Sequence, residues 1–458
     1  MKKILVSFLA TVLITSACQK QMDEYNVNPN QPEEASAALL LSGAEVATFA
    51  AVSGNLSIIS AILVQQAAGN QEQLQTYGRY ILTEADITGE WRTLFNGTII
   101  NGRTLIDRHG AGNPYYVGMT KILMAFNLGL ATDFWGDVPT AEAGRALDGN
   151  FTPKYEKQEE VLKYIQTQLD EAIADLNKPA TANVSLPGAD DLIFGGNTKA
   201  WVNAAYIIKA RYANRLSQID PQGSANQALQ FLSHVSADQP DFEAKFFDVA
   251  GSYNQWYDFI SARPNYVRMG KFFIDYLKNT NDPRLPFFAT KDEQGGYTGQ
   301  TPEQTNLTTG SFPGEGVTGP DAPIPMATYA EAKFIEAEAQ LRLGKGAEAA
   351  AAFNVAVAAS VQRVTEAAIP ALFKQAVASE TAASITLEKI INQKYVALFT
   401  QPEGYHDWRR TGFPKLTPNQ NSQQKAIPVR FPTSQEERNY NPNAVVIGDI
   451  YQPVWWDK

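Results

Sequence analysis

The 458-residue chain has one cysteine, Cys18, and three histidines, His109, His234 and His406. A lone cysteine excludes an intramolecular disulfide, and no two histidines stand at metal-ligand spacing, so HExxH-type zinc chemistry is absent. Each histidine reads as a surface or packing residue. There is no G-x-S-x-G elbow and no G-x-x-x-x-G-K-[ST] phosphate loop; the nearest glycines, Gly344-Lys345-Gly346, fit a turn between helices. Asn26, Asn28 and Asn30 imitate the opening of a calcium loop, but its sixth and twelfth positions hold Gln31 and Ala37 instead of Gly and Glu. With Lys2 and Lys3 set aside, 36 basic side chains face 48 acidic ones, with no basic run to neutralise phosphates. That balance disfavours nucleic-acid binding. Beyond the first 17 residues, no segment reads as long and apolar enough to span a bilayer. The sequence calls for no cofactor.

What is present begins at the N-terminus. Met1, Lys2 and Lys3 precede the apolar stretch Ile4–Ala17, and Thr15-Ser16-Ala17-Cys18 ends it in small residues before the cysteine. This is the grammar of a cleaved signal peptide over residues 1–17, with Cys18 as the site of lipid attachment. Thr15 stands where such lipoboxes usually carry Leu. Acylation would leave the mature chain without a thiol, removing cysteine nucleophiles and thiolate metal sites. Residues 18–35, with Asn26, Asn28, Pro29, Asn30 and Pro32, read as a lipid-anchored linker, and residues 36–458 as a single helical domain.

Helical periodicity dominates that domain. Val161, Ile165, Leu169, Ile173 and Leu176 fall on one face of a helix, and Trp201, Ala204, Ala205, Ile208 and Tyr212 on another. Asp220-Pro221-Gln222-Gly223 is expected to stop the latter before a run from Ala225 to His234. Tyr329–Leu343 and Ala347–Val361 form a second hairpin across Gly344-Lys345-Gly346. In a tetratricopeptide register beginning at Ala330, its seam positions are Ala337, Gly344, Ala349, Phe353 and Ala356. Lys333 and Glu336 miss the repeat's Trp and Leu positions. Three or more such pairs would build a curved scaffold. Residues 236–328 differ, being rich in Gly, Pro, Asn, Thr and Tyr, with clear helical periodicity only around Gly270–Lys278. So long an irregular insertion is uncommon unless it has a function. The periodicity supports at most a degenerate repeat, and the expected fold class is mostly α, with helices on one side and loops on the other.

Carboxylates keep a hydrolase open, since glycoside hydrolysis needs only two of them about 5–10 Å apart. Asp86 and Glu90 share a possible helical face, and Asp133 and Asp137 bracket Phe134-Trp135-Gly136. With 48 acidic residues such pairs are expected by chance, and solvated helix faces or caps are the favoured account of them.

Asp133-Phe134-Trp135-Gly136-Asp137-Val138-Pro139, then Glu142-Ala143, then Thr152-Pro153-Lys154-Tyr155, resembles the SusD/RagB family of nutrient-binding outer-membrane lipoproteins. Leu169-Asp170-Glu171-Ala172-Ile173, Asn281-Asp282-Pro283-Arg284-Leu285-Pro286, Tyr329-Ala330-Glu331 and Trp408-Arg409-Arg410-Thr411-Gly412-Phe413-Pro414 continue it in family order, as does Asn28-Pro29-Asn30. Asp23-Glu24 after Cys18 is similar to signals that send such lipoproteins to the outer face. The resemblance implies a mostly α fold of tetratricopeptide-like helix pairs forming a scaffold with a loop-rich ligand-binding face, no catalysis, and a SusC-type TonB-dependent transporter as partner. It also implies an outer-membrane location facing the exterior. Its motifs read as structural: a loop fixed by Asp133–Asp137 and a turn packed by Trp408–Arg410.

A glycan site needs aromatic rings for sugar C–H faces and polar side chains for hydroxyls. Two stretches have that mixture, Gln71–Tyr80 with Gln73, Tyr77 and Tyr80, and Tyr253–Tyr266 with Trp256, Tyr257 and Tyr266. Tyr297, after Gly295-Gly296, is a third candidate, whereas Trp91 beside Leu94 and Phe95 reads as buried. The leading expectation is a surface lipoprotein that captures an oligosaccharide or similar nutrient for its transporter. A glycoside hydrolase and a protein-interaction module with buried aromatics stay open as alternatives.

Overall fold

The computed structural model describes residues 35–458; the expected signal peptide, Cys18 and the linker through residue 34 lie outside the described residues. The described chain opens with the helices Ala37–Ser53 and Asn55–Leu63. Together they span 27 residues and include an 18-residue stretch with a mean hydropathy of 1.8, which is long and apolar enough to cross a membrane by length and composition. This corrects the expectation that no such segment follows residue 17. The cause is burial on all sides: 72% of that stretch is buried inside the protein, and an all-round apolar helix serves a core as well as a bilayer. Leu41, Ile59 and Leu63 are fully enclosed.

Four helix pairs follow. Pro114–Trp135 packs on Gln158–Leu176, Thr198–Arg215 on Pro221–Leu232, Tyr329–Arg342 on Gly346–Thr365, and Leu387–Ala397 on Glu403–Thr411. Neighbouring pairs also pack on one another: Gln158–Leu176 touches Thr198–Arg215, Pro221–Leu232 touches Tyr329–Arg342, and that helix touches Leu387–Ala397. The expected stripe Val161, Ile165, Leu169, Ile173 and Leu176 is buried throughout. So is the expected seam: Ala337, Ala349 and Ala356 are buried, and the rings of Phe334 and Phe353 meet edge-to-face at 6.2 Å. Small side chains there let two helix backbones approach closely, and Gly344 turns between them at φ +74°. Asp220-Pro221 starts the next helix instead of only separating two. Asp220 caps it by accepting from Gly223 N at 2.9 Å, and Pro221 takes the first turn, where no backbone donor is needed.

The region 236–328 holds more order than its composition suggested. Besides the helix Lys271–Asn279 it forms Gln255–Ala262 and two single-turn helices, and it contributes strands to two small antiparallel sheets. In one, Ala67–Gly69 pairs with Val267–Met269; in the other, Phe242–Ala244 pairs with Ile324–Ala327.

The helix pairs share a buried charge network. Arg211 makes a fork to Glu331 at 2.7 and 2.6 Å. Arg215 reaches Asp133 at 3.0 Å and Glu403 at 2.6 Å. Glu338 accepts from Asn214 at 3.0 Å and from Arg410 at 2.7 Å, and also pairs with Arg342. Asp407 is held by Arg410 at 2.8 Å and Lys394 at 2.7 Å. Burial pushes the Asp133 carboxyl up to about 6 against the pull of Arg215. Burial alone would also raise Glu338, but Arg410 and Arg342 overcome it and hold that carboxyl down to about 2. His406, buried among Arg215, Arg409 and Arg211, is held far below its ordinary value and stays neutral. His234 stacks on Tyr206 at 4.4 Å and His109 bonds the Ala35 carbonyl at 2.8 Å, so all three histidines do packing work.

Removing one member of such a network leaves its partners charged and unpaired in the core. Glu338→Gln is expected to lower stability by about 3–5 kcal/mol, read from urea unfolding.

A second buried acid lies apart from the network. Glu45 is fully enclosed, accepts from Leu192 N at 2.8 Å, and lies beside Asp191, which is itself saturated by Ile193 N, Phe194 N, Gly196 N and Trp201 Nε1. Burial first, and the Asp191 charge second, raise the Glu45 carboxyl to about 10. The folded state therefore keeps a proton that the unfolded chain releases above its ordinary carboxylate value. That stability is fully present at low pH and fades as pH rises toward about 10. Wild-type protein is expected to lose about 1 kcal/mol per pH unit between pH 7 and 9, and Glu45→Gln to abolish that slope, as measured by urea unfolding at each pH.

Candidate functional site

Backbone pairing joins the stretches that side-chain chemistry singled out. Gly69 stands opposite Val267, so Gln71–Tyr80 leaves one strand where Tyr253–Tyr266 enters the other. Gly69 is required there, because a Cβ would lie 1.7 Å from the Leu74 carbonyl oxygen. Asn70 then ties three segments together. Its backbone N donates to Tyr266 O at 2.7 Å, its side-chain amide donates to Asn265 O at 2.8 Å and Leu307 O at 2.9 Å, and its Oδ1 accepts from Leu307 N at 2.7 Å. Gln300 bonds both sides of the strand end, donating to Met269 O and accepting from Lys271 N at 2.8 Å each, which brings in the segment carrying Tyr297. Arg268, buried, donates to Gly310 O at 2.7 Å and Asn265 Oδ1 at 2.9 Å and lies 3.7 Å from the Phe312 ring centre. Burial lowers its proton affinity below the usual arginine value. The loop face is thus fastened from beneath.

The rings divide sharply. Tyr77, Tyr80 and Trp256 are buried, which corrects the expectation that they present their faces to a ligand. Tyr77 sits three residues after Leu74, on the inner side of the short helix Glu72–Gly78, and its hydroxyl donates to Asp86 at 3.2 Å. The Tyr80 hydroxyl accepts from Asn419 N at 2.9 Å, and burial pushes its proton affinity up to about 12. Trp256 donates to Ser57 at 2.9 Å from the inner face of Gln255–Ala262. Helical geometry turns its neighbour Tyr257 outward by about 100°. Tyr257, Tyr266 and Tyr297 are partly exposed and Gln73 is exposed. Tyr257 meets Tyr253 edge-to-face at 5.2 Å, and Tyr266 meets Phe259 at 6.2 Å. Trp91 is buried and stacks on Phe95 at 4.3 Å, as its neighbours suggested.

A cavity of about 260 Å³ opens beside this helix, lined by Asn55, Glu90, Gln255, Asp258, Phe259 and Arg263 among others. Burial raises the Glu90 carboxyl, opposed by a hydrogen bond from Asn55. Arg263 lies 5.0 Å from the Phe259 ring, so an apolar surface and fixed polar groups adjoin. Sequence reasoning passed over Asn55 and Phe259, and it paired Glu90 with Asp86. Asp86 is already engaged: it accepts from Thr83 N at 2.7 Å and closes a turn. Asp133 and Asp137 are equally committed, the first to Arg215 and the second to Gln158 N at 2.9 Å as a helix cap. Among the described residues no group of three or more His, Asp or Glu is placed to hold a metal ion.

Residues 29–432 match the SusD-like family model described as starch-binding, associating with the outer membrane. The chain belongs to this family. Solved structures of the same fold include a SusD/RagB family protein from Bacteroides thetaiotaomicron, 22% identical over 93% of this chain and 99% of that one, with a TM-score of 0.77. A chitin-binding protein is 24% identical over 92% and 100%, with a TM-score of 0.78. A chitin-binding SusD homolog from Flavobacterium johnsoniae is 20% identical over 91% and 98%, with a TM-score of 0.76. No curated protein matches the chain.

The Asn70 hub carries a test of its own. Asn70→Ala removes three side-chain bonds and strands Leu307 N and two carbonyls, at an expected cost of about 1–3 kcal/mol. Limited proteolysis should then cut within 290–312 sooner than in wild-type protein, with the helix pairs still intact.

Proposed function

We propose that this SusD-like protein captures an oligosaccharide on the loop face and delivers it unaltered to a SusC-type TonB-dependent transporter. In this reading Cys18 carries the lipid that holds residues 36–458, acting as one unit, on the exterior of the outer membrane. The observation that carries it is a cavity of about 260 Å³ lined by Gln255, Asp258, Phe259 and Arg263, with partly exposed Tyr257 on the same helix and partly exposed Tyr266 against the Phe259 ring. Rings supply flat apolar surface for sugar C–H faces, and the polar groups beside them suit hydroxyls. The family's description as starch-binding and two chitin-binding structural neighbours make glucans and chitin oligomers the first ligands to try. Partial exposure of these tyrosines speaks against a purely protein-binding module with buried aromatics.

Glu90 and Asp258 in one cavity, the former with a raised proton affinity, favour one second reading, hydrolysis by a carboxylate pair. Affinity electrophoresis and tryptophan fluorescence over a glycan panel, with product analysis of every hit, separate the two. Capture predicts binding without products. A Tyr257→Ala, Tyr266→Ala double variant is expected to weaken binding at least tenfold with an unchanged melting temperature. Trp256→Ala should lower the melting temperature, since it opens a core cavity. Products that disappear in Glu90→Gln would instead establish the hydrolase. Retention of the full chain by a membrane-embedded transporter in a pull-down tests the partner.

A further inference from the structure

A larger groove, of about 630 Å³, lies where the Gly136-Asp137 turn and the last residues of the chain meet. Its walls include Gly136, Lys157, Gln158, Arg430, Trp455 and Lys458. That volume is within the range of ligand-sized clefts, about 300–1,000 Å³.

Arg430 is built into this groove and left incomplete. One end of its guanidinium donates to the Trp135 carbonyl, while Nε is buried with no partner, and among the described residues no carboxylate lies within ion-pair distance of it. Gly136, at φ +85°, makes room for it: a Cβ would lie 3.1 Å from Arg430 Nη2. Burial first, and the neighbouring Arg409 charge second, lower the proton affinity of Arg430 against the opposing pull of Asp137 and Asp449. The acids lining the groove are already engaged. Asp137 takes Lys157 at 2.8 Å and caps Gln158, and Glu159 takes Lys163 at 2.8 Å.

Trp455, partly exposed, lines the same groove. Its backbone is anchored by the next residue, since Trp456 is fully buried with Arg409 4.4 Å and Arg215 5.1 Å from its ring centre. The groove therefore offers an aromatic ring and a planar cation short of hydrogen-bond partners, a pairing that suits a sugar with an acid group.

We infer that this groove is a second saccharide site, separate from the loop face, that takes a sugar bearing a carboxylate, with Trp455 under the ring and Arg430 on the acid group. A uronic-acid residue carries both parts, whereas a neutral hexose would leave Arg430 unsatisfied.

The test uses the full chain, oligogalacturonate, and the same oligomer with its acid groups methyl-esterified, followed by tryptophan fluorescence and calorimetry. The acidic oligomer is expected to bind at least tenfold more tightly than its ester. Arg430→Gln is expected to remove that preference, Trp455→Ala to weaken both ligands, and the Tyr257→Ala, Tyr266→Ala variant to leave the site untouched. Thermal melts of each variant show whether it is folded, and Trp455→Ala alone decides the matter if Arg430→Gln is not. Equal affinity for acid and ester, an acidic ligand that binds both variants as well as wild type, or equal binding of peptides with free carboxylates would each overturn the inference.

Discussion

The structure depends on a buried set of opposite charges. Asp133, Glu331, Glu338, Glu403 and Asp407 come from three different helices, and Arg211, Arg215, Lys394 and Arg410 also answer them from three. Ions in a core are costly unless each finds its partner in good geometry, so the network tolerates only one arrangement of the helices that carry it. Apolar seams of alanine allow helices to slide by a turn; a fork such as Arg211 to Glu331 does not. This is a physical reason for helix pairs far apart in sequence to settle in a single register.

That rigidity reaches the surface through short connections. The Asp133 helix ends at Trp135, whose ring donates to Pro432 O at 2.7 Å, and Gly136 then opens the groove that holds Arg430. Arg409, which donates to Asp133 O at 2.6 Å, also supports Trp456 and thus the chain's aromatic end. On the loop face, Asn70, Arg268 and Gln300 do by hydrogen bonding what the ion pairs do inside. Loops long enough to vary are held by a few buried polar side chains, leaving the tyrosines above them partly free.

Several features of the chain were legible before any coordinates. Period-3.6 stripes located the helices around Val161–Leu176, Trp201–Tyr212 and Tyr329–Val361, because burying one face requires that spacing whatever the neighbours are. The ordered motifs marked the family. The roles of those motifs were read too modestly: Asp133 and Arg410 looked like parts of a loop and a turn, yet they meet Arg215 and Glu338 from helices 82 and 72 residues away. The apolar stretch Ala37–Leu63 was undervalued for a related reason, since composition alone does not distinguish a core helix from a spanning one.

For the binding faces, the sequence by itself determined which stretches mix aromatic and polar residues, because that mixture is local. It could not decide which rings face outward. Trp256 and Tyr257 are adjacent and equally suited to a sugar, and only the packing of Gln255–Ala262 against Ser57 buries one and frees the other. Nor could it show that Ala67–Gly69 and Val267–Met269 pair, or that Arg430 comes to lie beside Gly136 in one groove with Trp455. Those contacts join residues far apart along the chain, and they are set by the order in which helices stack around the buried charges, which no local pattern records.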